Sequence, residues 1–115
     1  MSKLKLIVNN NKLQQNKNPF FVKKELKTIL NLYAKMVSNG EWKDYGLNIS
    51  KRYVSFNVYH RSSDFPIYKI TKNLAPKNKN EKYLIKNSKN QVIKNSENLE
   101  NLIEKIVWQK LKLVN

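Results

Sequence analysis

The sequence predicts an α+β fold: an N-terminal helix, an antiparallel four- to five-stranded meander sheet, and a C-terminal helix packed on one sheet face. Three observations predict it. Apolar residues recur at helical spacing over residues 23–38, alternate with polar ones over 52–60, and return to helical spacing over 97–113. The chain has 115 residues, enough for one modest core and too few for two. We read residues 1–18 as a flexible basic arm and 19–115 as a single α+β domain.

The arm begins with Lys3–Val8, which alternates weakly enough to suggest a short strand. An Asn-, Gln- and Lys-rich stretch follows, closed by Pro19. Such a composition buries too little apolar surface to offset the entropy of ordering it. Phe20, Phe21 and Val22 then precede a helix from about Lys23 to Ser38. Leu26, Ile29, Leu30, Tyr33 and Val37 are its expected core stripe, with Met36 beside it. Gly40 suits the left-handed conformation that ends helices, and Asn39 is a second candidate for that role.

Residues 40–46 (Gly-Glu-Trp-Lys-Asp-Tyr-Gly) read as a polar turn carrying two large aromatics, and Leu47–Ser50 as a strand pairing ahead of the next. In Arg52–His60, Val54, Phe56, Val58 and His60 point one way and Tyr53, Ser55, Asn57 and Tyr59 the other, which predicts a strand with one core face. A turn at Arg61–Asp64 leads to a strand over Phe65–Thr71, with Pro66 at its start, where a missing N–H costs little. Residues 72–81 read as a basic loop. Tyr83–Lys86 and Gln91–Lys94 read as a hairpin around Asn87-Ser88-Lys89-Asn90, because asparagine tolerates the positive φ of tight turns. The last helix is expected over about Glu97–Leu113. Asn95 or Ser96 would cap it, and Leu99, Leu102, Ile103, Ile106, Val107, Leu111 and Val114 would be its apolar stripe.

Composition excludes several functions. There is no cysteine, hence no disulfide framework, thiolate nucleophile or cysteine-based zinc site, which fits a reducing cytoplasm. No stretch approaches the ~20 apolar residues that cross a bilayer, so a soluble, cytoplasmic protein without a membrane partner is expected. The formal charge of +15 favours anionic partners, nucleic acid first among them. Yet only two of the 23 basic residues are arginines, Arg52 and Arg61, and the abundance of Lys with Asn is also what an A-rich coding sequence produces.

No catalytic constellation is visible. The one histidine, His60, ends a strand on the expected core side. Glu41 and Asp44 form no pocket that would shift their pKa values, and the two glycines make no phosphate loop. We therefore expect no enzyme activity, no metal, no cofactor and no small-molecule substrate. Three features suit binding. Trp42 and Tyr45 could form a contact surface, or else fold back over the helix–sheet seam. Tyr53 and Tyr59, near Lys51, Arg52 and Arg61, resemble the aromatic and basic platforms that stack single-stranded bases. Arg61-Ser62-Ser63 could hold a phosphate.

The stretch Glu25–Val37, the block Gly40-Glu41-Trp42-Lys43-Asp44-Tyr45, the segments Val54-Ser55-Phe56, Arg61 and Pro66–Ile70, and the ending Lys110-Leu111-Lys112-Leu113 together resemble a small bacterial family common in alphaproteobacteria (domain of unknown function 2794). The resemblance spans roughly residues 20–114, although the loop at 75–81 lacks the glycine expected there. It implies a bacterial cytoplasmic protein and supplies no activity. It directs attention to Trp42, Asp44, Tyr45, Arg61, Pro66 and Tyr68, which the helix stripe does not explain. Two readings of function follow. One is a non-catalytic basic module for nucleic acid or another anionic partner. The other is a protein–protein adaptor or homodimer using Trp42, Tyr45 and an open sheet edge.

Overall fold

The computed structural model describes residues 20–61 and 65–106. The expected arm, Ser62 and Ser63, and Val107, Leu111 and Val114 lie outside them. Helix α1 spans Lys23–Ser38, as the helical spacing predicted. Its first turn is held by Glu25, whose carboxylate accepts the Val22 N–H at 2.7 Å. Its end is set by Gly40, at φ +80°, whose N–H donates to Val37 while the Glu41 N–H donates to Met36. The buried face is Glu25, Ile29, Leu32 and Met36. This corrects the expected stripe: Ile29 lies in the core, Leu26 and Tyr33 are half-buried, and Leu30 and Val37 remain about 40% exposed. Apolar residues line more than one side of α1, and spacing alone does not say which side meets the sheet.

Five strands follow in a pure antiparallel meander: β1 (Asp44–Ile49), β2 (Tyr53–Tyr59), β3 (Tyr68–Asn73), β4 (Tyr83–Asn87) and β5 (Val92–Ser96), adjacent in that order. Asp44, Tyr45 and Gly46 belong to β1, paired with Tyr59, Val58 and Asn57, where a turn was expected. Strand β3 starts later than the sequence suggested and runs on through Lys72 and Asn73. The β4–β5 turn follows the asparagine signal. Asn90 has φ 68°, and the Asn87 side chain accepts the N–H groups of Lys89 and Gln91.

One sheet face carries Val54, Phe56, Val58, Ile70 and Ile85, all at most 1% exposed. Both helices pack on it, α1 through Ile29, Leu32 and Met36, and α2 (Leu99–Lys105) through Leu99 and Leu102. Burying each such side chain contributes roughly 1.5–3 kcal/mol before entropy, which is why neither helix can leave this face. The cap of α2 is Asn98, whose side chain accepts the Asn101 N–H at 2.9 Å; Asn95 and Ser96, expected there, belong to β5. Helix α2 thus starts later than predicted, and Ile106 is already extended (φ −94°, ψ 134°). Among the described residues no helix is long and apolar enough to cross a membrane.

Candidate functional site

The second sheet face carries Tyr53, Ser55, Asn57 and Tyr59 from β2, and the register aligns Lys69 with Asn57 and Lys86 with Lys69. Alternation turned this face away from the core, toward solvent or a partner, yet its centre is buried: Ser55, Asn57 and Thr71 are each under 9% exposed. They satisfy one another, since the Ser55 hydroxyl donates to Asn57 Oδ1 at 2.5 Å and the Thr71 hydroxyl donates to Ser55 Oγ at 3.5 Å. The Lys86 ammonium reaches back to within 5.1 Å of the Tyr53 ring centre. That contact bridges β4 and β2 across β3, over the row holding Ser55 and Thr71. Burial, and then the neighbouring Lys69, hold the Lys86 pKa below its ordinary value. Lys69 itself donates to Asn90 Oδ1 at 3.0 Å. Tyr59 lies against Gly46 at the β1 side, 3.7 Å from where a side chain would begin. The face therefore presents two phenol rings at the ends of β2 and two lysines paired across β3 and β4, with the Lys86 ammonium turned toward Tyr53 and the Lys69 ammonium toward Asn90.

Trp42 and Tyr68, named as candidates, lie on the other side. Trp42 is 2% exposed and Tyr68 is buried, both within the core, so neither offers a contact surface. Tyr45 is about half exposed and stacks on Phe56, rings 4.9 Å apart and 3° from parallel, with Tyr33 meeting it edge-on at 5.1 Å. Burial, with Asp44 and Tyr45 nearby, pushes the Tyr33 hydroxyl pKa up. Asp44 is exposed and its carboxylate accepts the Tyr45 N–H at 2.8 Å. Arg52 and Arg61 are exposed at opposite ends of β2; the Arg52 carbonyl accepts the Leu74 N–H. His60 is exposed rather than core-facing, its Nδ1 3.0 Å from the Glu41 carbonyl.

Sequence reasoning missed a buried polar junction. Glu25 Oε1 accepts from the Lys72 ammonium at 2.9 Å, and Glu25 Oε2 accepts from the Tyr83 hydroxyl. Lys72 also donates to the Phe20 carbonyl at 3.3 Å. Burial pushes the Glu25 carboxyl pKa up, but Tyr83, Lys72 and the Val22 amide together outweigh it and hold the carboxyl below its usual range. Burial and the Glu25 carboxylate push the Tyr83 hydroxyl well above its ordinary value. A hollow of about 230 Å³ opens beside this junction, lined in part by Glu25, Tyr83, Glu97 and Glu100. Glutamate three residues past a helix start was the available signal for the cap; its partners on β3 and β4 had none. Lys72 is consequently engaged in the core and is no part of a basic loop.

Among the described residues, no group of three or more His, Asp or Glu side chains could hold a metal. A family model described as Protein of unknown function (DUF2794) matches residues 20–103. No curated protein and no solved structure matches the chain.

Proposed function

We propose, for a chain that belongs to this family of unknown function, that the domain is a non-catalytic binding module whose second sheet face receives an anionic partner, a single-stranded nucleic acid. The observation that carries the reading is the Lys69–Lys86 pair. Lys69 and Lys86 stand directly opposite each other on neighbouring strands, a like-charge pairing that destabilises a sheet, and their ammonium groups turn apart, that of Lys69 to Asn90 and that of Lys86 toward the Tyr53 ring. A phosphate between them would relieve the repulsion. Tyr53, with the Lys86 ammonium over its ring, and the half-buried Tyr59 flank the pair and would stack bases on the ring faces left uncovered, and Arg52 and Arg61 extend the positive surface beyond both ends of β2. The exposed lysines of the 77–82 loop add contacts that hold a backbone without reading its sequence.

Fluorescence anisotropy of labelled single-stranded RNA and duplex DNA, at low and physiological salt, tests the reading. Binding should persist at physiological salt for the single strand. Tyr53→Ala should weaken it about 5- to 100-fold, the range for losing one stacked base, and Lys69→Gln with Lys86→Gln should reduce its salt dependence. Binding that vanishes at physiological salt and ignores all three residues would overturn the proposal.

A further inference from the structure

Strand β1 is one edge of the sheet, and among the described residues nothing pairs with its outer side. Which of its backbone groups face outward follows from the ladder. The Ser50 N–H donates to the Tyr53 carbonyl at 2.8 Å, and the Arg52 carbonyl accepts from Leu74 on the other side of β2. By alternation, Asp44, Gly46 and Asn48 turn their backbone groups toward β2, and Tyr45, Leu47 and Ile49 turn theirs away from the sheet. The Tyr45 N–H fits this assignment, since it is taken up by the Asp44 carboxylate instead of by β2.

The same three residues put their side chains on the helix-covered face, yet α1 does not cover them: Tyr45, Leu47 and Ile49 are 45%, 48% and 56% exposed. Tyr33 of α1 meets Tyr45 edge-on, and Leu30 and Val37 of α1 are exposed as well. Edge strands are ordinarily protected by lysine, proline or a bulge. Here the β1–β2 register is unbroken, and in a chain with 23 basic residues none falls between positions 44 and 50.

We propose that β1 is a homodimerisation edge, pairing antiparallel with β1 of a second copy about an axis through Leu47. In this register Leu47 faces Leu47 and Tyr45 faces Ile49 of the other copy. The outward backbone groups then match, giving roughly six hydrogen bonds between the strands once each Tyr45 N–H leaves the Asp44 carboxylate, and the two apolar triads merge into one stripe. Asp44 falls opposite Ser50 of the second copy and Lys43 opposite Lys51, so like charges meet at both ends of the seam, a cost that the hydrogen bonds and the apolar stripe must exceed. A shift by one residue would set outward-facing groups against inward-facing ones, and a shift by two leaves one member of each triad unpaired. The strand is thus complementary to itself in hydrogen bonding and in apolar pattern. Two five-stranded sheets would join into one of ten. This inference stands apart from the anion-binding reading.

The full chain, freed of nucleic acid by nuclease and high salt, would be followed by sedimentation equilibrium across a concentration series. Dimer is expected, with Leu47→Lys, at an exposed position, monomeric and natively folded by circular dichroism. The chain has no cysteine, so Leu47→Cys tests the axis directly. Facing residues in a hydrogen-bonded antiparallel pair are ~5.5 Å apart at Cα, within disulfide range. Under mild oxidation Leu47→Cys should give a disulfide-linked dimer, and Asn48→Cys, which faces Gly46, should cross-link far more slowly. A monomeric wild type with Leu47→Cys remaining reduced would overturn the proposal and assign the edge to a terminal segment of the chain or a different protein. A dimer in which Asn48→Cys cross-links as fast as Leu47→Cys would overturn the register.

Discussion

Glu25 and Lys72, 47 residues apart, meet at 2.9 Å beneath α1, each with a side chain about 10% exposed. The pair ties the first helix to the third strand, and Tyr83 occupies the other carboxylate oxygen. Removing one partner leaves an uncompensated charge in the core. Lys72→Met is expected to destabilise the domain by about 3–5 kcal/mol, measured by urea denaturation. The double variant Glu25→Leu/Lys72→Met should recover most of that loss, because a buried ion pair contributes little beyond a well-packed apolar pair. If the double variant is as unstable as the single one, Tyr83 and the Val22 amide depend on the carboxylate more than Lys72 does.

The same junction fixes a pH dependence. Glu25 has its folded-state pKa below its ordinary value of 4.5. Its ionised form therefore stabilises the fold above that value, and the contribution is lost as pH falls through the lower, folded pKa. At the alkaline end Tyr83 acts in the opposite sense. Its pKa is raised above 10.0, so the contribution is whole below 10.0 and declines as the unfolded chain ionises above it. Stability should hold between these limits and fall on both sides. Glu25→Gln should flatten the acid limb when the midpoint of urea unfolding is followed against pH.

The rotation of α1 on the sheet is checked by two truncations. Ile29→Ala empties a fully buried site and should cost about 2–5 kcal/mol. Leu30→Ala, on the neighbouring exposed face, should cost under ~1 kcal/mol. Equal losses in thermal denaturation would mean that Leu30 is covered as well.

The outline of the fold was legible because period and punctuation agree. The alternation in β2, the helical spacing before Gly40, and the asparagines of the β4–β5 turn each state a local preference that the tertiary structure keeps. What escaped depends on partners distant in sequence. Ser55 and Asn57 fell on the face away from the core, because alternation assigns a face and says nothing of how deeply it is covered; both are buried. Lys69 and Lys86 had no local signal, since only the β3–β4 register makes them neighbours. Trp42 read as a contact surface or as packing over the helix–sheet seam, and burial chose the core. Leu30 and Val37 belonged to a sound helical stripe of which Ile29 alone is fully buried.

Gly40 supplies the last prediction, because its two possible costs separate cleanly. Its φ of +80° lies where a β-carbon crowds the following carbonyl, yet nothing else stands within 4 Å of where that carbon would be. Any penalty for Gly40→Ala is therefore conformational, about 1–2 kcal/mol, with no contribution from a clash. Gly40→Asn meets the same open space with a residue that tolerates left-handed backbone, and should recover part of the loss. Chemical denaturation of both variants distinguishes the cases. A ranking of Gly above Asn above Ala supports a purely backbone requirement at the end of α1. Equal penalties for Asn and Ala would mean that the Gly40–Trp42 segment is held by its hydrogen bonds to Met36 and Val37, whatever residue occupies position 40.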